Sequence, residues 1–217
     1  MNRLAHTMCV RITAKRLDDS LLELVLKLHE HSVPFAIAGA YAVAMHGHVR
    51  ATQDIDALIA AEDAASADRA LTELGYAAVH RDLRSATYER KPLSELPGLE
   101  ERCDLLFSSK PTGLTAVRRA LANPVLWRGF PLPVVPVDVL ILMKLIAIAA
   151  DPSRPNDRAD VRALLALHQA QLDLSALRLQ AKTIGAEIAL ELELERVMEL
   201  SRVSESAPRY GGWDGEL

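Results

Sequence analysis

Apolar residues recur at helical spacing over residues 20–31, where Leu21, Leu24, Val25 and Leu28 share one face. This stretch is expected to be a helix lying on a core, capped by Asp18 or Asp19 and ended by Pro34. PFAIAG follows, a short apolar run closed by Gly39, which suits a buried strand. AYAVAMHG returns to helical spacing and stops at Gly47, and DIDALIA alternates carboxylate with apolar residues as a strand does. Residues 63–74 carry Ala67, Ala70, Leu71 and Leu74 on one face, with Gly75 placed as terminator. The order so far is β-α-β-α.

Beyond Gly75 the pattern changes. TYER and RCDLLF read as strands separated by a polar, Pro-containing loop over 91–101. Residues 112–122 read as a helix and VLWRGF as one short strand. From Pro136 the spacing is helical almost throughout: about 137–150, 157–170, and one or two helices from 173 to 202. The expected fold class is α/β (α+β), a mixed sheet flanked by helices and followed by a helical C-terminal region. We divide it into an α/β domain over 1–133, a helical domain over 134–205 and a loosely held tail over 206–217.

Composition narrows the function classes. Of 217 residues, 50% are hydrophobic and 25% charged, which is ordinary for a globular protein. The net charge of −4 supplies no global basic field, so tight nonspecific nucleic-acid binding is not expected from charge alone. Two cysteines, Cys9 and Cys103, are too few for a disulfide framework or a zinc site. The apolar stretch over 132–150 holds Asp138, Lys144, Pro133 and Pro136, so it reads as a buried helix, not a membrane span. With no signal-like run at the N-terminus, a cytoplasmic location is expected. His46 and His48 flank a glycine and lack the i, i+4 spacing of a helical zinc pair.

The candidate chemistry lies in residues 37–60, IAGAYAVAMHGHVRATQDIDALIA. Asp54 and Asp56 stand two apart in a strand, so both side chains point to one face while Ile55 enters the core. Paired carboxylates repel, and a divalent cation relieves the repulsion; Mg²⁺ suits a site of carboxylates and substrate phosphates. Gly39 closes a strand where a helix begins, and helix N-termini favour phosphate. Asp104 is a third carboxylate in a strand of otherwise apolar residues, costly there unless compensated.

These residues carry a resemblance. Gly39-Ala40, a helix, then Arg50, Thr52, Asp54 and Asp56, with Asp104 on a later strand, resembles the polymerase-beta-type nucleotidyltransferase superfamily. The pattern is similar to its minimal bacterial branch, which includes AbiEii-type toxins of type IV toxin–antitoxin systems and antibiotic nucleotidyltransferases. Lys144 in LILMKLIAIA, followed by Arg154, Asp157 and Asp160, resembles a second element of that branch. The resemblance implies Mg²⁺ (two ions) on Asp54, Asp56 and Asp104, with Asp104 also helping to deprotonate an acceptor hydroxyl. It implies a nucleoside triphosphate near Gly39, Ala40, Arg50, Thr52, Arg154 and Asp157, and Lys144 reaching a phosphate or the acceptor. The implied acceptor is tRNA or another RNA, with an antitoxin protein as partner; a protein side chain is a further candidate, and a small hydroxylated antibiotic is the main alternative. Ala40 stands where the family prefers Gly or Ser, and Asn156 where the branch commonly has Lys. Those two departures favour a further alternative, an inactive binding module.

Overall fold

The computed structural model describes residues 3–91 and 101–206, with side chains described over 17–91, 101–200 and at 202. The chain divides into two compact units, Met1–Leu140 and Ile141–Leu217.

The first unit opens with helix α1, Arg3–Glu30. It begins well before the expected cap, because Asp18 and Asp19 lie inside it. Asp18 is not a cap: it accepts the Tyr41 hydroxyl at 3.0 Å and an ion pair from Arg128. Strand β1 (Phe35–Ile37) is wholly buried, and α2 (Gly39–Met45) follows at once. β2 (Asp54–Ala60) comes next, then a 3-10 turn over Ala61–Asp63 and α3 (Ala64–Glu73). β3 (Ala77–Arg81), β4 (Ser85–Arg90) and β5 (Glu101–Ser108) complete the main sheet. α4 (Pro111–Ala122) takes Pro111 in its first turn, where no amide partner is lost.

The strands form one mixed sheet in the order β1-β2-β5-β4-β3. β2 and β5 run parallel at its centre, whereas β1–β2, β4–β5 and β3–β4 are antiparallel. Central strands covered on both faces read as apolar runs, as Ala57–Ala60 does. α2 and α4 pack on β2, and α1 packs on α3 and β2. Outside β1, Ile37 pairs with Val134 in a short parallel bridge, which covers that edge of the sheet.

Two further differences from the sequence reading concern strands. β3 escaped the reading because all five of its residues are exposed on an edge, so they carry no alternating pattern. VLWRGF is not one strand but the heart of a hairpin, β6 (Val125–Trp127) and β7 (Phe130–Leu132). Arg128 and Gly129 turn it with φ of 48° and 85°, the left-handed pair that tight hairpins require.

α5 (Val137–Ala150) carries Leu140, Ile141, Leu145 and Ile148 buried. The second unit continues with α6 (Pro155–His168), α7 (Leu174–Thr183) and α8 (Glu187–Ser206). Its core includes Val161, Leu164, Leu177, Ala181 and Leu190. α6 and α8 are joined by Glu193, fully buried and paired with Arg158 and with Arg162. Among the described residues no helix is long and apolar enough to cross a membrane. The 91–101 loop falls mostly, and the tail from 207 entirely, outside the described residues.

Candidate active site

The parallel pairing of β2 with β5 sets Asp56 directly beside Asp104 and Asp54 beside Arg102. Partners in a ladder share a face, and so do residues two apart on one strand. Asp54, Asp56 and Asp104 therefore project from one side of the sheet, while Ile55, Cys103 and Leu105 are fully buried behind them. β4 extends the face: Thr87 pairs with Asp104 and Glu89 with Arg102.

Each aspartate has a local partner. Thr52 donates to Asp54 Oδ1 at 2.6 Å and also reaches the Asp54 carbonyl at 3.3 Å, which fixes that carboxylate's direction. Asp56 lies against Gly39. A Cβ added to Gly39 would stand 1.7 Å from Asp56 Oδ2 and 2.4 Å from its Cγ, and the glycine holds φ at 56°. Glycine is thus required twice, for the left-handed backbone and for the space the carboxylate fills. The adjoining backbone is tied as well, Ala38 N donating to the Asp56 carbonyl at 2.8 Å. Asp104 is engaged by Arg102, whose Nε lies 3.2 Å from Oδ2 and whose Nη2 lies 3.4 Å from Oδ1.

The donor chemistry fits a hard divalent cation, since the face offers carboxylate oxygens from two adjacent strands. The space kept open for Asp56 by Gly39 agrees with it. As the side chains stand, no group of three or more His, Cys, Asp and Glu gathers closely enough to hold an ion among the described residues. The strands bring the three carboxylates to one face; the rotamers, with Asp104 turned to Arg102, do not close them on one point.

Charge in this cluster is felt by its neighbours. Burial, then Asp56, Asp104 and Asp54, push the Cys103 thiol well above its ordinary range. Burial alone would lower the pKa of Arg102, but Asp104, with Asp54 and Glu89, raises it.

The other residues of the sequence reading fall in two places. Ala40 is buried in α2, and Arg50 sits between α2 and β2, donating to the Ala51 carbonyl at 3.2 Å. His46 places its ring Nε2 2.8 Å from the Val135 carbonyl, a role in holding the fold. Lys144, Arg154 and Asp157 come together in the second unit. Lys144, only 6% exposed, holds Asp157 at 2.9 Å and Asp160 at 2.7 Å, and Arg154 pairs with Asp157. Asp157 does not cap α6; the cap position is Arg154, and Asp157 lies in the first turn facing Lys144. Its pKa is lowered: burial raises it, but Lys144 and Arg154 together outweigh burial.

Sequence reasoning missed Arg102 and Glu89. The signal for Arg102 was present, because alternation in RCDLLF puts it on the face of Asp104. Glu89 needed the register between β4 and β5, which no single strand reveals.

Among curated proteins none matches the chain in sequence. Solved structures do resemble it in fold. The antibiotic-resistance factor ANT(2'')-Ia in solution superposes with a TM-score of 0.56 at 15% identity, covering 89% of this chain and 99% of its own. A crystal structure of ANT(2'')-Ia with adenylyl-2''-tobramycin gives 0.56 at 13% identity, over 80% of this chain and 99% of that one. The lincomycin-bound lincosamide antibiotic adenylyltransferase LnuA gives 0.50 at 13% identity, over 69% and 96%. The model of a family described as uncharacterised nucleotidyltransferases matches residues 10–200, nearly the whole chain. The chain therefore belongs to this nucleotidyltransferase family, within the polymerase-beta-type superfamily, and is an enzyme of nucleotidyl transfer.

Proposed function

We propose that the protein transfers a nucleoside monophosphate from a nucleoside triphosphate to an acceptor hydroxyl, with Mg²⁺ held by Asp54, Asp56 and Asp104. The hydroxyl oxygen bonds to the α-phosphorus, the α–β phosphoanhydride bond breaks and pyrophosphate leaves. The observation that carries this reading is the β2–β5 register, which sets Asp56 beside Asp104 with Asp54 on the same face. When bound, Mg²⁺ supplies charge neutralisation at the phosphates. The chain's own contribution is orientation. Thr52 fixes Asp54, Gly39 leaves room for Asp56, and Asp104 is the group we assign to take the acceptor's proton. A carboxylate is a competent base when placed within hydrogen-bond reach of the hydroxyl.

For the acceptor we favour a small hydroxylated molecule. The chain's net charge of −4 offers no general attraction for a polyanion. The fold likeness to ANT(2'')-Ia, a resistance factor seen with adenylylated tobramycin, runs nearly the full length of both chains. A second reading, RNA modification by a toxin-like enzyme kept in check by an antitoxin, is supported by the resemblance of residues 37–60 and 144–160 to the AbiEii-type branch.

The test is incubation with α-labelled nucleoside triphosphates and Mg²⁺, against a panel of aminoglycosides and lincosamides, total RNA and tRNA. Label on a small molecule, lost in Asp56→Ala, supports the first reading, and label on RNA supports the second. Absence of label from every acceptor, with no Mg²⁺-dependent nucleotide binding, would contradict the proposal.

A further inference from the structure

Arg102 sits among carboxylates on the face of the sheet that carries the three aspartates. Across one ladder it faces Asp54, across the other Glu89, and two residues along its own strand is Asp104. Asp56 completes the set beside Asp104. Four acidic side chains thus share this patch with one cation from the same three strands. The guanidinium reaches both oxygens of Asp104, yet at 3.2–3.4 Å and with its own side chain 49% exposed against 16% for Asp104. Contacts that long are weak for a charge-assisted fork, and an ion pair this exposed is readily exchanged for another partner. Arg102 therefore compensates Asp104 without locking it.

We propose that Arg102 is the resident counter-cation of this cluster: it holds Asp104 turned aside and yields it when a divalent cation arrives. The inference rests on the metal-site reading of Asp54, Asp56 and Asp104 given above. It accounts for two observations together: a carboxylate stands in a strand of apolar residues at tolerable cost, and the three aspartates share a face without closing on one point. Arg102 and the metal compete for one carboxylate. Arg102 is accordingly a positioning residue, acting through Asp104 and not on the reacting atoms.

Competition makes a prediction opposite to that for a substrate-binding arginine. In Arg102→Gln, Mn²⁺ binds more tightly than in the parent, by about threefold or more, the scale expected for loss of one exposed ion pair. The metal-free variant melts at lower temperature, since Asp104 has lost its ion pair with Arg102, and added Mg²⁺ raises its melting temperature by more than it raises the parent's. Arg102→Lys, which retains charge but not the fork, falls between the two.

The experiment uses the full chain. Mn²⁺ affinity is read by calorimetry for the parent, Arg102→Gln and Arg102→Lys, and the Arg102 Nε–H resonance is followed by NMR during Mg²⁺ titration. Expected are tighter binding in Arg102→Gln and faster exchange of the Nε–H with water as Mg²⁺ saturates. Equal or weaker Mn²⁺ binding in Arg102→Gln overturns the proposal, as does an Nε–H signal that Mg²⁺ leaves unchanged. If the parent and Asp56→Asn bind Mn²⁺ alike, the metal-site reading itself has failed. If Asp56→Asn weakens binding but Arg102→Gln does not tighten it, only the competition has failed.

Discussion

Gly39→Ala separates backbone strain from displacement of the Asp56 carboxylate, which we propose to be a metal ligand. The new methyl group would stand 1.7 Å from Asp56 Oδ2, whereas ordinary contact begins near 3.4 Å, so about 1.7 Å must be gained. The Asp56 Cβ at 2.9 Å also lies too close, so side-chain rotation alone does not relieve the clash. Either the carboxylate leaves its place or β2 shifts. The left-handed φ of 56° adds roughly 1–2 kcal/mol for any residue bearing a Cβ. Gly129→Ala is the matched control: its φ is 85° with nothing within 4 Å, so it bears the backbone cost alone. Both variants should lose about 1–2 kcal/mol of stability from strain. They should differ in function, because a misplacement of about 1 Å at a reacting centre costs on the order of a hundredfold. The assay is Mg²⁺-dependent binding of a non-hydrolysable nucleotide, with transfer rate once an acceptor is known, beside urea unfolding. Gly39→Ala should bind at least about tenfold more weakly, a change of roughly 1.4 kcal/mol, while Gly129→Ala should match the parent. Equal nucleotide binding in Gly39→Ala and the parent would refute the claim that Gly39 exists to seat Asp56.

Three further outcomes follow from the buried charges and polar groups. Lys144→Met leaves Asp157 and the fully buried Asp160 without their ammonium; we expect a loss of about 3–5 kcal/mol in denaturant unfolding, and a loss below about 1 kcal/mol would show the pairing to be incidental. Because Lys144 and Arg154 hold the Asp157 pKa below its unfolded value, its contribution is present above the ordinary Asp range, about pH 4, and fades as pH falls through the depressed folded value. The stability gap between the parent and Asp157→Asn should therefore be full at neutral pH and narrow in acid; a gap that widens in acid contradicts the sign. Tyr76 is buried with its hydroxyl unpartnered among the described residues, so Tyr76→Phe should stabilise by up to about 1 kcal/mol by removing an unsatisfied polar group; marked destabilisation would reveal a hidden partner.

Much of the fold was written in local pattern. Leu21, Leu24 and Leu28 repeat at helical spacing and are indeed fully buried on one face. Ile55 between Asp54 and Asp56 fixed which side of β2 carries the carboxylates, because a strand's period admits no other arrangement. The aspartates belonged to legible strands, yet their adjacency did not: β2 and β5 are separated by α3, β3 and β4, and only their parallel pairing sets Asp56 beside Asp104. β3 was illegible because an edge strand exposed throughout has no apolar side to betray it. The hairpin was hidden because Arg128 takes a left-handed conformation more common in Asn or Gly, so its turn lacked the usual signature. Lys144 pairs its ammonium with two carboxylates, Asp157 and Asp160, thirteen and sixteen residues further on, a pairing between two helices that no local pattern shows.

The central claim is that Asp54, Asp56 and Asp104 are ligands of a single metal site. Its most direct test is a crystal structure of the full chain with Mn²⁺ and a non-hydrolysable nucleoside triphosphate, with the ion located by anomalous scattering. The account predicts an anomalous peak ligated by carboxylate oxygens of Asp54, Asp56 and Asp104, with Arg102 withdrawn from Asp104. A Mn²⁺ ion bound elsewhere, or a bound nucleotide with Asp104 still paired to Arg102 and contributing no ligand, would contradict it.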